Sequence, residues 1–334
     1  MNSFGRIFRV SIFGESHGET IGAVIDGVPA GMALCEEEFL ADLARRKSGA
    51  RGTTPRRESD SPQLVSGLFE GRTTGAPLTV LFRNENRRSG DYADLRIHPR
   101  PSHADWTAAL KYGGFNDYRG GGHFSGRLTL PLTAAGTVAK KILSGAEFRT
   151  SLVEVGGCCD PQRFAETVEN ALRDGDSVGG VVECRVRGVE PGLGEPFFDG
   201  AESVLAHLLF SIPAVKGVEF GAGFASARMR GSQNNDPIAD RQGHTATNHA
   251  GGICGGITNN NELTVRVAVK PTPSISCEQR TWHTGHQAVE PLIVKGRHDA
   301  CIALRAGVVV EAAVAIGLAD LHLLRASAAP GTGL

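Results

Sequence analysis

Three observations in the sequence predict a mixed α/β protein, of the α/β or α+β class. Strand-like runs recur at 8–13, 21–26, 77–82, 180–187 and 262–269, and helix-like patterns fall at 36–46, 131–144, 161–173, 201–209 and 306–325. The two kinds do not alternate as a chain of parallel crossovers would require. No internal repeat and no Pro/Ser-rich linker divides the 334 residues, so one domain over 1–334 is expected. Long glycine-rich loops join its elements, and loops of that length in a compact fold usually carry function.

The first strand-like run, Phe8-Arg9-Val10-Ser11-Ile12-Phe13, leads into Gly14-Glu15-Ser16-His17-Gly18. A second apolar run from Ile21 follows, closed by the turn pair Asp26-Gly27 before Val28-Pro29. The loop spells G-x-S-x-G, the nucleophile elbow of serine hydrolases, which would make Ser16 the attacking group. That elbow needs a sharp turn into a helix, whereas this order reads strand, loop, strand. His17, an imidazole between small residues, is then the group to explain, and proton transfer suits it better than core packing.

The 36–46 pattern has acids in its first turn and bases in its last, which suits the helix dipole. It delivers a loop in which Arg45, Arg46, Lys47, Arg51, Arg56 and Arg57 occur with no acid among them. A solvated helical face would intersperse both signs, and Gly49, Gly52 and Pro55 make this a loop of concentrated positive charge. Arg83, Arg87 and Arg88 sit in a second polar loop. Guanidinium groups suit bidentate recognition of phosphate and carboxylate, so a small polyanion is the expected ligand. Nucleic acid fits poorly, because aromatics are 6% of the chain and do not interleave with the bases.

A second histidine lies in Arg100-Pro101-Ser102-His103-Ala104-Asp105-Trp106, where small residues again flank the imidazole. Next, Tyr118-Arg119-Gly120-Gly121-Gly122-His123-Phe124-Ser125-Gly126-Arg127 precedes a helix-like stretch, and glycines before a helix amino terminus suit a phosphate. No Walker A loop and no G-x-G-x-x-G fingerprint occurs, so a nucleotide or flavin phosphate would be held another way. Three late blocks, Gly231 onward to Asp236, Asn248 onward to Ile257, and Lys270-Pro271-Thr272-Pro273-Ser274, supply amides, hydroxyls and bare backbone for the polar edge of a flat heterocycle. Arg297-His298-Asp299 then precedes the long apolar pattern, where Asp299 could equally be a helix cap.

That apolar pattern carries Glu311 and Asp320, so it reads as a helix on the protein body rather than a membrane span. Seven scattered cysteines without a C-x-x-C pair signal neither disulfides nor a zinc site, and no metal is expected. No export signal is seen at 1–18, and a cytoplasmic location is expected. The 44 glycines cluster in loops, where they let backbone approach something closely.

These blocks, in this order, resemble the chorismate synthase family over nearly the whole chain. The resemblance runs from Gly14-Glu15-Ser16-His17-Gly18 and Asp26-Gly27-Val28-Pro29, through His103-Ala104-Asp105 and Arg119-Gly120-Gly121-Gly122, to Asn248-His249-Ala250-Gly251-Gly252 and Arg297-His298-Asp299. It implies a 1,4-elimination of phosphate and a ring hydrogen from 5-enolpyruvylshikimate 3-phosphate, giving chorismate, with reduced FMN required although nothing is oxidised overall. His17 is implied as proton donor to the flavin, His103 as proton donor to the leaving phosphate, and Asp299 as helping to take a proton at flavin N5. Ser16 and Ser125 would form a polar relay. Arg46 and Arg51 would contact substrate or NADP. Flavin contacts would come from His123, Phe124, Ser125, Ala214, Gly255, Lys270, Pro271, Thr272, Pro273, Ser274 and Arg297.

Departures from the family pattern are His123 and Phe124 where arginine and serine are common, Trp106 for tyrosine, and Pro213 for asparagine. The implied fold is a single-domain β-α-β sandwich with antiparallel sheets inside and helices outside, assembled as a homotetramer. The chain length leaves no extra domain for reducing the flavin, so an external reductant is expected, with NADPH a candidate. Two rival readings stay open at this point: a serine hydrolase acting through Ser16, and a non-catalytic flavin- or anion-binding protein.

Overall fold

The structure, a computed structural model, describes residues 1–49, 51–54, 58–86, 89–92, 94–296 and 298–328. The amino-terminal part carries β1 (Ser3–Phe4), β2 (Arg9–Gly14), β3 (Thr20–Asp26), α1 (Leu40–Arg46), β4 (Gln63–Ser66), β5 (Leu68–Phe69), β6 (Arg72–Thr73), β7 (Leu78–Arg83), α2 (Asp105–Tyr112) and α3 (Thr129–Ile142). After it come β8 (Glu147–Val155), α4 (Phe164–Arg173), β9 (Gly180–Arg187), α5 (Ala201–Ser211), β10 (Val215–Phe220) and α6 (Gly231–Asn234). The last elements are β11 (Ile253–Cys254), β12 (Ile257–Thr258), β13 (Leu263–Val269), β14 (Gln279–His283), β15 (Ala288–Leu292) and α7 (Gly307–Ser327).

Two antiparallel sheets dominate, with strand orders β1-β2-β3-β7-β4 and β10-β13-β9-β8. Each has one wet face and one dry face, as antiparallel sheets allow. In β13, for example, Leu263, Val265, Val267 and Val269 are buried while the residues between them are half-buried.

The mixed class and the β-α-β sandwich are therefore present, but the order of layers differs from the expectation. Helix α3 packs on β2, β3 and β7, α7 packs on β8 and β9, and the two helices pack on each other. Helices thus lie between the sheets rather than outside them. The reason is visible in α7, where every residue from Val308 to Leu321 is buried, so it has no face to turn to water. The two helices meet at Gly136, where an added Cβ would come within 2.3 Å of the Ala312 Cβ, so only glycine allows this approach.

Although α7 is long and apolar enough to cross a membrane, it is a core helix here. Both of its acids are buried and partnered. Glu311 accepts from Arg45 at 2.7 Å, Lys140 at 2.8 Å and Thr150 at 2.6 Å. Asp320 accepts the backbone N–H groups of Arg6, Ile7 and Phe8 at 2.8–3.0 Å, tying the amino terminus to this helix. One hydrophobic cluster runs from Phe8 to Leu321 and joins both sheets through the helices.

Candidate active site

A cavity of about 950 Å³ opens where α1, the start of α3 and the loops before α2, after β13 and before α7 converge. Six basic side chains line it, Arg46, Lys47, Arg100, Arg127, Lys270 and Arg305, against three acids, Glu58, Asp60 and Asp299. Leu128, Leu132, Ile212, Pro213, Ala214 and Ile302 supply an apolar wall. Three non-glycine residues of the lining, Asp60 (φ 52), Ser102 (φ 58) and Ala214 (φ 76), hold left-handed backbone, and strain of this kind concentrates at functional sites.

His103 is fixed by charge. Its Nδ1 lies 2.7 Å from Asp105 Oδ1 and 3.0 Å from Arg100 Nη2. A carboxylate can only accept and a guanidinium can only donate, so Nδ1–H donates to Asp105 and the guanidinium is a near neighbour, not a second partner. Arg100 itself donates to Asp105 through Nε at 2.7 Å and to Ser274 Oγ at 2.9 Å. Burial pushes the His103 imidazole below its ordinary value, Asp105 works against that, and the Arg100 charge adds to it. Burial opposes ionisation of Asp105, but its bonds from Arg100 and His103 outweigh burial and hold it well below the usual carboxylate range.

The first histidine sits on the loop between β2 and β3, 3% exposed, with the Tyr92 ring edge-on at 5.2 Å. Ser16 is buried beside it and donates its backbone N–H to Gly122 O at 3.1 Å. Here the triple glycine does something the sequence did not suggest. A Cβ on Gly120 would lie 2.5 Å from His17 Cδ2, and one on Gly121 would lie 3.4 Å from His103 Nε2. These glycines give both imidazoles room. They do not cap α3, because a further turn from Gly126 to Leu128 intervenes, with Ser125 accepting the Arg127 N–H at its start.

The basic loop divides. Arg45 serves Glu311 in the core, and Arg46 turns into the cavity, 4% exposed, donating to Thr129 Oγ1 at 3.0 Å. Arg46 lies 3.5 Å from Asp60, but that carboxylate already pairs closely with Arg127, which also donates to Asn84 Oδ1 at 3.0 Å. Burial, then the charge of Arg305, pushes the Arg46 guanidinium down to about 9, with Asp60 only partly compensating. Arg51, in contrast, is exposed, pairs with Glu169 and is not part of the lining. Arg56, Arg57, Arg87, Arg88 and Arg297 lie outside the described residues.

Other expected contacts sort similarly. His123, Phe124, Ser125, Ala214, Lys270, Thr272, Pro273 and Ser274 line the cavity. His123 Nδ1 faces Gly14 O at 2.7 Å, and Lys270 Nζ donates to Ser102 O. Pro271 and Gly255 are not in the lining, and Gly255 sits at the tip of the β11–β12 hairpin. The two loop blocks before Lys270 bond mainly to themselves: Asp236 accepts from Thr247, His249 and Ala250, and Asn248 from Gly252. Asp299 is no helix cap. It accepts the Thr54 N–H at 2.9 Å and pairs with Arg305 at 2.6 Å.

Sequence reasoning assigned no role to Arg100, Asp105, Arg127, Asp60, Arg305 or His298. The His103-x-Asp105 spacing was readable, whereas Arg127 and Asp60 meet only through the fold. His298 lines the cavity and, like His103, is pushed below its ordinary value by burial. The G-x-S-x-G loop joins two antiparallel strands, so the strand-to-helix turn of a hydrolase elbow is absent from it.

Comparison with known proteins follows the same line. The family profile described as "Chorismate synthase" matches residues 8–323. The chorismate synthase of Chitinophaga pinensis is 61% identical over 325 residues, covering 97% of each chain. That of Thermococcus kodakarensis is 45% identical over 98% of this chain and 99% of its own. A crystal structure of a chorismate synthase superposes with a TM-score of 0.74 at 28% identity, covering 96% of this chain and 93% of that one.

Proposed function

The chain belongs to the chorismate synthase family, and from that premise we propose that the cavity converts 5-enolpyruvylshikimate 3-phosphate to chorismate by 1,4-elimination, using reduced FMN. One observation carries the reading: buried Arg46 and Arg127 share the single carboxylate of Asp60, leaving cationic charge that a phosphate and two carboxylates would neutralise. Buried charge without a partner is costly, so the substrate supplies what the fold withholds.

His103 is the group that gives the leaving phosphate its proton. Asp105 holds Nδ1–H, so Nε2, over Gly121, is the nitrogen available for transfer. His17, walled by Gly120 and Tyr92, is the donor on the flavin side, with Ser16 and Ser125 as polar relay. Asp299, held by Thr54 and Arg305, would help take a proton at flavin N5. Arg46, Arg127 and Arg305 orient the anions and exclude water from them.

The residues present fit a flavin. Thr272 Oγ1 is buried with no hydrogen-bond partner among the described residues, and the apolar wall with Lys270, residues 272–274 and residues 123–125 offers a flat ring both a dry face and polar edges. Held there by these residues, reduced FMN would supply electron density for the elimination. An external reductant, NADPH being a candidate, belongs to this reading, as does a cytoplasmic location. One domain is supported by the large core cluster that joins both sheets, beside which Leu95, Leu292 and Val294 form only a small satellite. A homotetramer is supported by exposed aromatics such as Phe197 and Phe198, 87% and 92% exposed.

The test is anaerobic. Purified protein with photoreduced FMN and substrate is expected to release phosphate and form chorismate, and absence of both overturns the proposal. NADPH with oxidised FMN tests self-reduction. A fluorophosphonate probe should leave Ser16 unlabelled; labelling would favour the hydrolase. Tight flavin binding without turnover would favour the binding protein.

A further inference from the structure

Away from the cavity, the β14–β15 hairpin gathers side chains that neither the fold nor the elimination requires. His283, His286 and Glu290 each bring a donor atom within 4.8 Å of the other two. The rings of His283 and His286 stack at 3.9 Å. His286 Nδ1 lies 3.0 and 3.1 Å from the two Glu290 oxygens, and His283 Nδ1 accepts the His286 backbone N–H at 3.0 Å.

A second observation is independent of the hairpin. His98, on the loop ahead of the active-site histidine, is 8% exposed, and its Nε2 is buried with no hydrogen-bond partner among the described residues. Its ring centroid lies 4.9 Å from that of His283. Buried polar atoms are normally satisfied, and a ring nitrogen left without a partner beside two more imidazoles and a carboxylate is what a metal ion would complete.

We propose that His283, His286 and Glu290, with His98 as the buried fourth donor, form a site for a borderline transition-metal ion of the Zn²⁺ class, which pins the hairpin to the active-site loop. Imidazole-rich donor sets select such ions over Mg²⁺ or Ca²⁺. A tetrahedral ion with bonds of about 2.0–2.1 Å places its donors about 3.3 Å apart, a contraction that exposed His286 and half-buried Glu290 can make by rotation. The ion replaces the proton between His286 Nδ1 and Glu290, releasing it to solvent, and takes the His283 Nδ1 lone pair now used by the backbone N–H.

The consequence reaches the catalytic loop because the two segments are already joined. The Thr284 N–H donates to Ile97 O at 2.7 Å, and Thr281 Oγ1 donates to Pro99 O at 3.2 Å, next to Arg100. Closing the four donors fixes that contact.

Full-length protein stripped with chelator and titrated with Zn²⁺ alone should bind one equivalent, and Co²⁺ in its place should give the strong visible absorption of a four-coordinate site. His286→Ala and Glu290→Gln, both at solvent-accessible positions, should each weaken binding at least about tenfold while keeping metal-free elimination activity. Hydrogen exchange at the Thr284 amide should slow when Zn²⁺ is added. Absence of saturable one-to-one binding, or equal binding by the double variant, overturns the site. Unchanged affinity in His98→Ala removes His98 from the ligand set, and binding without slowed Thr284 exchange overturns the pinning.

Discussion

His103 stands between a carboxylate and a guanidinium, and their balance decides when it can give a proton. Burial lowers its affinity for a proton while Asp105 raises it. A general acid works only when protonated, so kcat/KM should fall as pH rises through a value below the usual one for histidine. Asp105→Asn removes the raising influence, so this fall should move to lower pH; a pH profile that stays put or moves upward contradicts the pairing. His103→Ala should slow phosphate release by about 10²-fold or more, the scale of a lost general acid, as a phosphate-release assay would show. Arg46 behaves oppositely, as a buried cation that costs stability until an anion arrives. Arg46→Met should stabilise the ligand-free protein by on the order of 1 kcal/mol while raising KM at least about tenfold, read by thermal unfolding and steady-state kinetics. Both histidines were legible in sequence because small residues flank them. The Arg127–Asp60 pair was not, since sequence spacing carries no sign of a contact made across 67 positions.

At the scale of elements, the triple glycine is the part whose role changed most. Read along the chain, three glycines before a helix suggest a phosphate cradle. In space all three have positive φ, and the first two lie under the imidazoles of His17 and His103. Gly120→Ala meets both problems, a left-handed backbone (φ 61) and a Cβ 2.5 Å from His17, so it should destabilise the protein by more than about 1 kcal/mol and abolish turnover. Gly121→Ala, whose Cβ would only touch His103, should lose less activity. Equal losses in a paired assay would mean the glycines serve turn geometry alone. The strongly apolar strands and helices were readable because apolar period and cap residues are local, whereas β8, β10, β14, β15 and α2, with few buried residues each, were not expected. The layering was not readable, although the all-round apolar character of 306–325 already excluded a water-facing position.

For the molecule as a whole, the core holds a charged cluster, Glu311 with Arg45, Lys140 and Thr150, between α7, α1, α3 and β8. Burial opposes ionisation of Glu311, yet the hydrogen bond from Arg45 and the charge of Lys140 bring it below its ordinary value. A depressed carboxyl contributes stability above its unfolded pKa, and that stability is lost as pH falls through the lower folded value. The Tm of the native protein should therefore drop on acidification below about 4.5, and drop less steeply in Glu311→Gln. Glu311→Ala leaves Arg45 and Lys140 to share Asp42 and leaves the Thr150 hydroxyl without its acceptor, so it should cost about 1–3 kcal/mol, measured by denaturant unfolding.

The position of α7 between the two sheets has a bearing on synthesis. The first sheet and α3 leave the ribosome long before residues 307–327, so a nascent chain must carry two half-sandwiches with their dry faces open. Only when α7 enters does Asp320 find the amides of Arg6, Ile7 and Phe8, so the earliest strand is locked by one of the latest segments to be made. During that interval the exposed apolar faces are the ones a chaperone would have to shield.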